Sequence, residues 1–264
     1  EVLTQVIKQR FGLTVAFGQP QILYLETLSE PIVGCGHFEP LRHYAEVHLL
    51  LSPGRRGRGI CFESRCPADE LGQNWQNLIR THVLEKKHVG TLTGSPVTDL
   101  QVTLLAGKAH LKHTEGGDFR QAVYRALRQG LMSGKPLLLE PCYTFSIRVE
   151  PAFIGQVLAD LQRMHADSQP PEQTSQWAII RGQCPAATMM GYPQQLTAVT
   201  KGKSTVSLAF AGYRPCHNSE RVIAEKGYEP ERDLENPCGS VFCSHGAGFS
   251  VSWKDAPRYM HLKL

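Results

Sequence analysis

The chain has 264 residues, 41% of them hydrophobic, and a formal net charge of +4. That length allows two or three compact domains, and the apolar share is ordinary for a globular protein, so a real core is expected. No run of about 18 apolar residues exists, which excludes an evident membrane-spanning helix.

The opening Glu1-Val2-Leu3-Thr4 has no initiator Met and no signal pattern, so a piece of a longer polypeptide is expected. Val2, Leu3, Val6, Ile7 and Phe11 repeat at helical spacing, and Gly12 closes that helix. Gln21 to Leu25 alternates as a strand, and 1–30 reads as a domain remnant. Pro31 to Pro40 is a turn-rich junction. A strand over 44–51 leads into the loop Ser52 to Gly59, which carries Arg55, Arg56 and Arg58. A second strand, Ile60 to Arg65, returns from it. Asp69 can cap a helix with Trp75, Leu78, Ile79 and Val83 on one side. Val97 to Leu105 is a strand, Gly107 to Gly117 a polar loop, and Asp118 the expected cap of an amphipathic helix. Phe119, Ala122, Val123, Ala126 and Leu127 line its buried face; Arg120, Gln121, Arg125 and Arg128 face away.

Residues 140–216 read as a second α+β domain. Tyr143, Phe145, Ile147 and Val149 alternate with polar residues as a half-buried strand. Pro151 opens a helix with Phe153, Ile154, Val157, Leu158 and Leu161 inward. After a polar loop (Asp167 to Ser175) come a strand (Trp177 to Arg181), a helix near Ala186 to Val199 and a strand (Ser204 to Phe210). The order β-α-β-β-α-β matches a ferredoxin-like split βαβ, provided a short strand precedes the second helix. Residues 217–264 read as a tail of low regularity with an aromatic end.

The charge is unevenly placed: 31–139 holds fourteen Lys and Arg against nine Asp and Glu, while the other segments are nearly balanced. The 107–117 loop carries Lys108, His110, Lys112 and His113 with little apolar side chain. Together with the Arg55–Arg58 loop and Lys86-Lys87-His88, it points to a nucleic-acid surface. Lys and Arg neutralise phosphates, and Gly admits backbone N–H groups to them. The lack of sequence-reading motifs favours shape recognition of structured RNA.

Other chemistry is thin. Gly202-Lys203-Ser204 lacks the earlier Gly of a phosphate loop, Thr197 standing there, and a β-run follows it. The eight cysteines are irregularly spaced and read as reduced thiols of a cytoplasmic protein. Cys216, His217, Cys238, Cys243 and His245 could form a metal-binding module, but no pair has C-x-x-C spacing, and no metal ligand is assigned. A Cys243/His245 nucleophilic pair lacks an orienting acid, and no catalytic residue is assigned.

The run Ser95-Pro96-Val97-Thr98-Asp99-Leu100-Gln101-Val102-Thr103-Leu104, with Gly107 and Asp118-Phe119, resembles domain IV of elongation factor G and its relatives. Leu138-Leu139-Glu140-Pro141, Met190-Gly191-Tyr192 and Lys201-Gly202-Lys203 resemble domain V, and Gly18-Gln19-Pro20 through Thr27 the last strand of domain III. His110 falls where elongation factor G carries a tip histidine. Within that superfamily the Gly107-to-Asp118 spacing is similar to the tetracycline-resistance ribosomal protection proteins, although Ala109 to His113 departs from their Tyr-Ser-Pro-Val type tip. The resemblance implies an α+β fold: a ribosomal-protein-S5-domain-2-like βαβ domain over 31–139, a ferredoxin-like domain over 140–216 and an extension over 217–264. It implies a parent GTPase whose nucleotide-binding domain, with GTP and Mg, lies elsewhere, so this segment has no enzyme activity or cofactor of its own. Its partner would be the ribosome: Lys108, His110, Lys112 and His113 at the 16S rRNA decoding region, with Arg55, Arg56 and Arg58 on an adjacent loop. Lys201 and Lys203 would lie near the 23S rRNA that activates the GTPase. A monomeric, membrane-free cytoplasmic fragment follows.

Overall fold

In the computed structural model, which describes residues 2–18 and 20–263, the chain builds two six-stranded sheets. Gln19, within the Gly18-Gln19-Pro20 run, lies outside the described residues. The N-terminal helix α1 (Val2–Phe11) forms as the apolar spacing predicts but buries none of its residues. The next strand is β1 (Leu25–Leu28), not Gln21 to Leu25, and it pairs with the second sheet.

The first sheet is built on β2 (Ile32–Phe38), β3 (Ala45–Pro53), β4 (Ile60–Ser64) and β5 (Leu100–Ala109). Helix α2 (Gln73–Leu84) joins β4 to β5, and α3 (Gly116–Ser133) follows β5. β4 does not return alongside β3. It crosses to the far side of β5 and pairs with it in parallel, so β4-α2-β5 is a βαβ unit. β5 starts three residues later than the hydrophobic run suggests because Asp99 takes a left-handed φ of 54° and binds the 54–59 loop. Small residues let α3 lie directly on β2. A β-carbon on Gly34 or Gly36 would overlap the carbonyl oxygens of Ala126 and Ala122. Phe119, Leu49, Leu51, Ile79, Leu100 and Leu104 fill the layer between helices and sheet. Each fully buried side chain of this kind contributes roughly 1.5–3 kcal/mol.

The second sheet is organised by the 14-residue β6 (Pro136–Val149). A 3-10 turn at Pro151–Phe153 leads into α4 (Ile154–Arg163). The short strand that a split βαβ requires lies inside the expected polar loop, as β7 (Asp167–Ser168) and β8 (Glu172–Gln173). β9 (Ala178–Pro185), the helices α5 (Ala186–Met189) and α6 (Tyr192–Val199), and β10 (Thr205–Pro215) complete it. Pairing runs β10-β6-β9-β7, the ferredoxin-like order, with β1 on the 136–139 stretch of β6 that β9 does not reach. The expected α+β pair of a βαβ domain and a ferredoxin-like domain is therefore the architecture found.

The tail is more regular than its composition suggests. It holds α7 (Ser219–Lys226), a hairpin of β11 (Ser240–Ser244) and β12 (Ala247–Val251), and α8 (Ala256–Tyr259). β11 pairs in parallel with β2, extending the first sheet to the order β12-β11-β2-β3-β5-β4. A small core of Cys35, Phe242, Val251, Ala256 and Met260 seals the junction. The tail also covers α3. Arg125 and Arg128, expected to face solvent, are buried, and Arg128 donates to Tyr228 Oη and the Pro230 carbonyl. Among the described residues, no helix is long and apolar enough to cross a membrane.

Candidate functional site

The loop after β5 is shorter than expected. β5 runs through Lys108 to Ala109, and α3 begins at Gly116 with Glu115, not Asp118, as its cap. Asp118 instead closes a capping box, its carboxylate accepting the Glu115 N–H at 2.9 Å. The connection is therefore the six residues 110–115, and they are held tightly. The Thr114 hydroxyl accepts the His110 N–H at 2.6 Å and donates to the Tyr44 carbonyl at 2.6 Å. The Lys112 N–H donates to His110 Nδ1 at 3.3 Å, which leaves Nε2 as the ring's outward nitrogen. The His113 ring stands edge-on to His110, centroids 4.5 Å apart. Leu111 at the apex is fully exposed, and Lys108 and Lys112 are exposed beside it.

Two further segments share this end of the sheet, and the sequence reading missed both. The loop between β2 and β3 presents Leu41 and Arg42, and the His43 imidazole meets the buried Asp118 carboxylate at 2.9 Å. The β11–β12 hairpin turns here through His245 (φ 50°) and Gly246 (φ 80°), the left-handed pair of a tight two-residue hairpin. Cys243 N–H reaches Glu39 at 3.4 Å. The available signal was two alternating runs, 240–244 and 247–251, separated by two residues ending in Gly.

The remaining expected residues are not gathered there. The Arg55–Arg58 loop follows Pro53, which pairs with Leu100 at the start of β5, whereas the tip lies past Ala109 at its end. Ten strand residues separate the two by about 30 Å, so the loops are not adjacent. Asp99 organises the arginine loop: its carboxylate accepts the Gly59 N–H at 3.0 Å and faces Arg56 at 3.9 Å. The loop lines a cleft with Phe210, Ala211, Gly212 and Tyr213 of the β10 bulge. Lys86 and His88 also lie away from the tip, the Lys86 ammonium over the Tyr124 ring and His88 buried. Lys201 and Lys203 stand at the far end of the second sheet, where Lys203 reaches Glu150 at 3.1 Å. Among the described residues, Lys108 and Lys112 have no ion-pair partner.

Behind the tip lies a buried polar centre that the sequence did not announce. Glu46, fully buried, accepts on Oε1 from His48 Nε2 (2.8 Å) and the Leu262 N–H (2.8 Å). Its Oε2 meets His37 Nδ1 (2.8 Å) and accepts the His261 N–H (2.9 Å). Burial alone would raise this carboxyl's pKa; the hydrogen bonds from His37, His48 and the two tail amides overcome it and hold the group far below the usual carboxylate range. His37 Nε2 also meets Glu39 at 3.0 Å, and Tyr44 Oη meets His261 Nδ1 at 3.0 Å. The C-terminus is thus latched to the strands that carry the tip.

The tail residues imagined as one metal module are scattered. Cys243 and His245 sit in the hairpin, whereas Cys216 and His217 join Glu140 in the second sheet. His37, Glu46 and His261 also have donor atoms within 4.8 Å of one another. A nucleophilic cysteine finds no support in Cys35, Cys66, Cys142, Cys184, Cys216 or Cys238. Burial raises each of these thiols, Cys35 to about 12 and Cys216 to about 11.

Residues 20–135 match the family described as Elongation factor G, domain IV, and residues 137–222 match Elongation factor G C-terminus. Elongation factor G of Gluconobacter oxydans (strain 621H) is 26% identical over 236 residues, covering 85% of this chain and 33% of that protein. A crystal structure of a Thermus thermophilus protein superposes with a TM-score of 0.72 at 25% identity, covering 83% of this chain and 34% of that one. The chain spans about a third of the length of these relatives.

Proposed function

Because this chain carries an elongation factor G-like domain IV followed by an elongation factor G-like C-terminal domain, we propose that it is the ribosome-binding C-terminal segment of a translation factor. In this reading the 110–113 tip enters the small-subunit decoding region, and Lys201 and Lys203 approach large-subunit rRNA. The parent is a GTPase, with GTP and Mg held in a domain outside this sequence, and it works in the cytoplasm. The observation that carries the reading is the tip itself: a braced turn with two lysines that have no ion-pair partner among the described residues, two imidazoles and an exposed apex, at the end of its sheet remote from the second sheet. Ordering this loop before binding lowers the entropic cost of docking on RNA. The Arg55–Arg58 loop, about 30 Å away, belongs to a separate contact.

The finer assignment, a parent of the tetracycline-resistance ribosomal protection type, rests on the Gly107-to-Asp118 spacing and is part of the same proposal. Co-sedimentation with ribosomes across a salt series tests binding. Replacing Lys108 and Lys112 with Glu is expected to weaken it and to flatten the dependence of log affinity on log salt by roughly 0.7–0.9 per lost phosphate contact. Unchanged affinity and slope would remove the tip from the interface. Expression of the full-length parent in a tetracycline-sensitive host separates the protection role, which raises tolerance of the drug, from a translocation role, which leaves it unchanged.

A further inference from the structure

Glu140 of β6 is buried, and its carboxylate draws its hydrogen bonds from one residue, His217. Its Oε1 accepts the His217 N–H at 2.8 Å and meets His217 Nδ1 at 2.8 Å; its Oε2 receives only the longer 3.1 Å contact from that same ring nitrogen. Cys216, one residue earlier, contributes a thiol whose partner is Asn218 Oδ1 at 3.3 Å. The donor atoms of Glu140, Cys216 and His217 all lie within 4.8 Å of one another. His165 stacks obliquely on His217 with centroids 4.7 Å apart, held there by a left-handed backbone (φ 57°) unusual for a residue with a side chain. Glu140, His165 and His217, but not Cys216, line a cavity of about 140 Å³ that Cys142, Cys184, Asp167 and Arg214 also border. The buried Glu46 centre differs. Each of its oxygens already meets two donors, so it has no lone pair to spare for an ion.

We propose that Glu140, Cys216 and His217 form a divalent metal site, with water as the fourth ligand, and that its ion is zinc. A thiolate, an imidazole and a carboxylate on neighbouring segments are a donor set that tetrahedral Zn²⁺ takes, while hard cations prefer all-oxygen shells. The ion would clip the start of the tail, at the end of β10, to the central strand β6. It would fix the point from which the tail crosses to the first sheet.

The test uses the full 264-residue chain, stripped with chelator, reloaded with zinc and desalted. The expected result is about one zinc per chain. The cobalt-loaded protein should show a thiolate-to-cobalt charge-transfer band that disappears in Cys216→Ser, and affinity should fall by more than about 100-fold in His217→Ala, beyond the loss of an outer-shell partner. Cys243→Ser is expected to bind as the parent does. Zinc below about one tenth per chain, or a cobalt spectrum unchanged in Cys216→Ser, overturns the proposal. Serine is close to cysteine in size, and circular dichroism of each variant separates lost ligation from lost structure.

Discussion

Replacing Glu46 with Gln should release the C-terminus from the tip domain. The carboxylate meets four donors, two imidazoles and two tail amides, one of each on either oxygen. Whichever way a Gln amide turns, its NH₂ faces one backbone N–H of His261 or Leu262, and a donor then meets a donor. Leaving one buried donor unpaired costs about 1–3 kcal/mol, and breaking a buried charged pair about 3–5 kcal/mol. A loss of about 3 kcal/mol corresponds to roughly a hundredfold faster exchange of the His261 and Leu262 amides, and of β11 with them, while β6 and β9 are unaffected. Hydrogen exchange resolved by mass spectrometry reads this directly. The pH dependence has a definite sign. A carboxyl held below its ordinary value of 4.5 stabilises the fold fully above that value and loses the contribution as pH falls through the folded value. The latch should therefore hold across neutral pH and open only in acid, and the Gln variant should lose that acid step. Unchanged exchange at 261–262 in the variant would refute the latch.

Gly36→Ala should destabilise the first domain by about 3 kcal/mol or more in denaturant unfolding, because the new β-carbon overlaps the Ala122 carbonyl on α3; Gly155→Ala, with open space around it inside α4, should stabilise slightly. Thr114→Val removes both hydrogen bonds of the Thr114 hydroxyl, an effect of about 1–2 kcal/mol, and should speed amide exchange over 110–115 far more than over β6 and β9. Arg56→Ala with Arg58→Ala should alter ribosome affinity independently of the tip lysines, so the effects of the two sets add; strong coupling between them would contradict their separation.

The second domain was nearly legible because its rules are local. The alternation of Tyr143 to Val149 and the inward face Phe153 to Leu161 both appear where periodicity places them. The first domain was harder, since its register depends on distant partners. The Ile60 strand reads as the return of a hairpin, but its partner is β5, forty residues on. The tip was recognised as cationic and its residues named, whereas its bracing by Tyr44, His43 and Thr114 comes from loops brought together only by the sheet. Arg125 and Arg128 are correctly placed off the core face of α3 and are buried anyway: Arg125 lies over the Phe38 ring, and the tail lies over Arg128. Helical periodicity describes one helix and its nearest layer; it carries no information about a segment one hundred residues later in the chain.

The most direct measurement places a photo-crosslinking amino acid at Leu111, the exposed apex of the tip, and maps its adducts on ribosomes. Crosslinks to small-subunit rRNA at the decoding region, abolished when Lys108 and Lys112 are Glu, are the predicted result. Crosslinks confined to large-subunit RNA or to ribosomal proteins, or none in a complex that still sediments, would contradict the account.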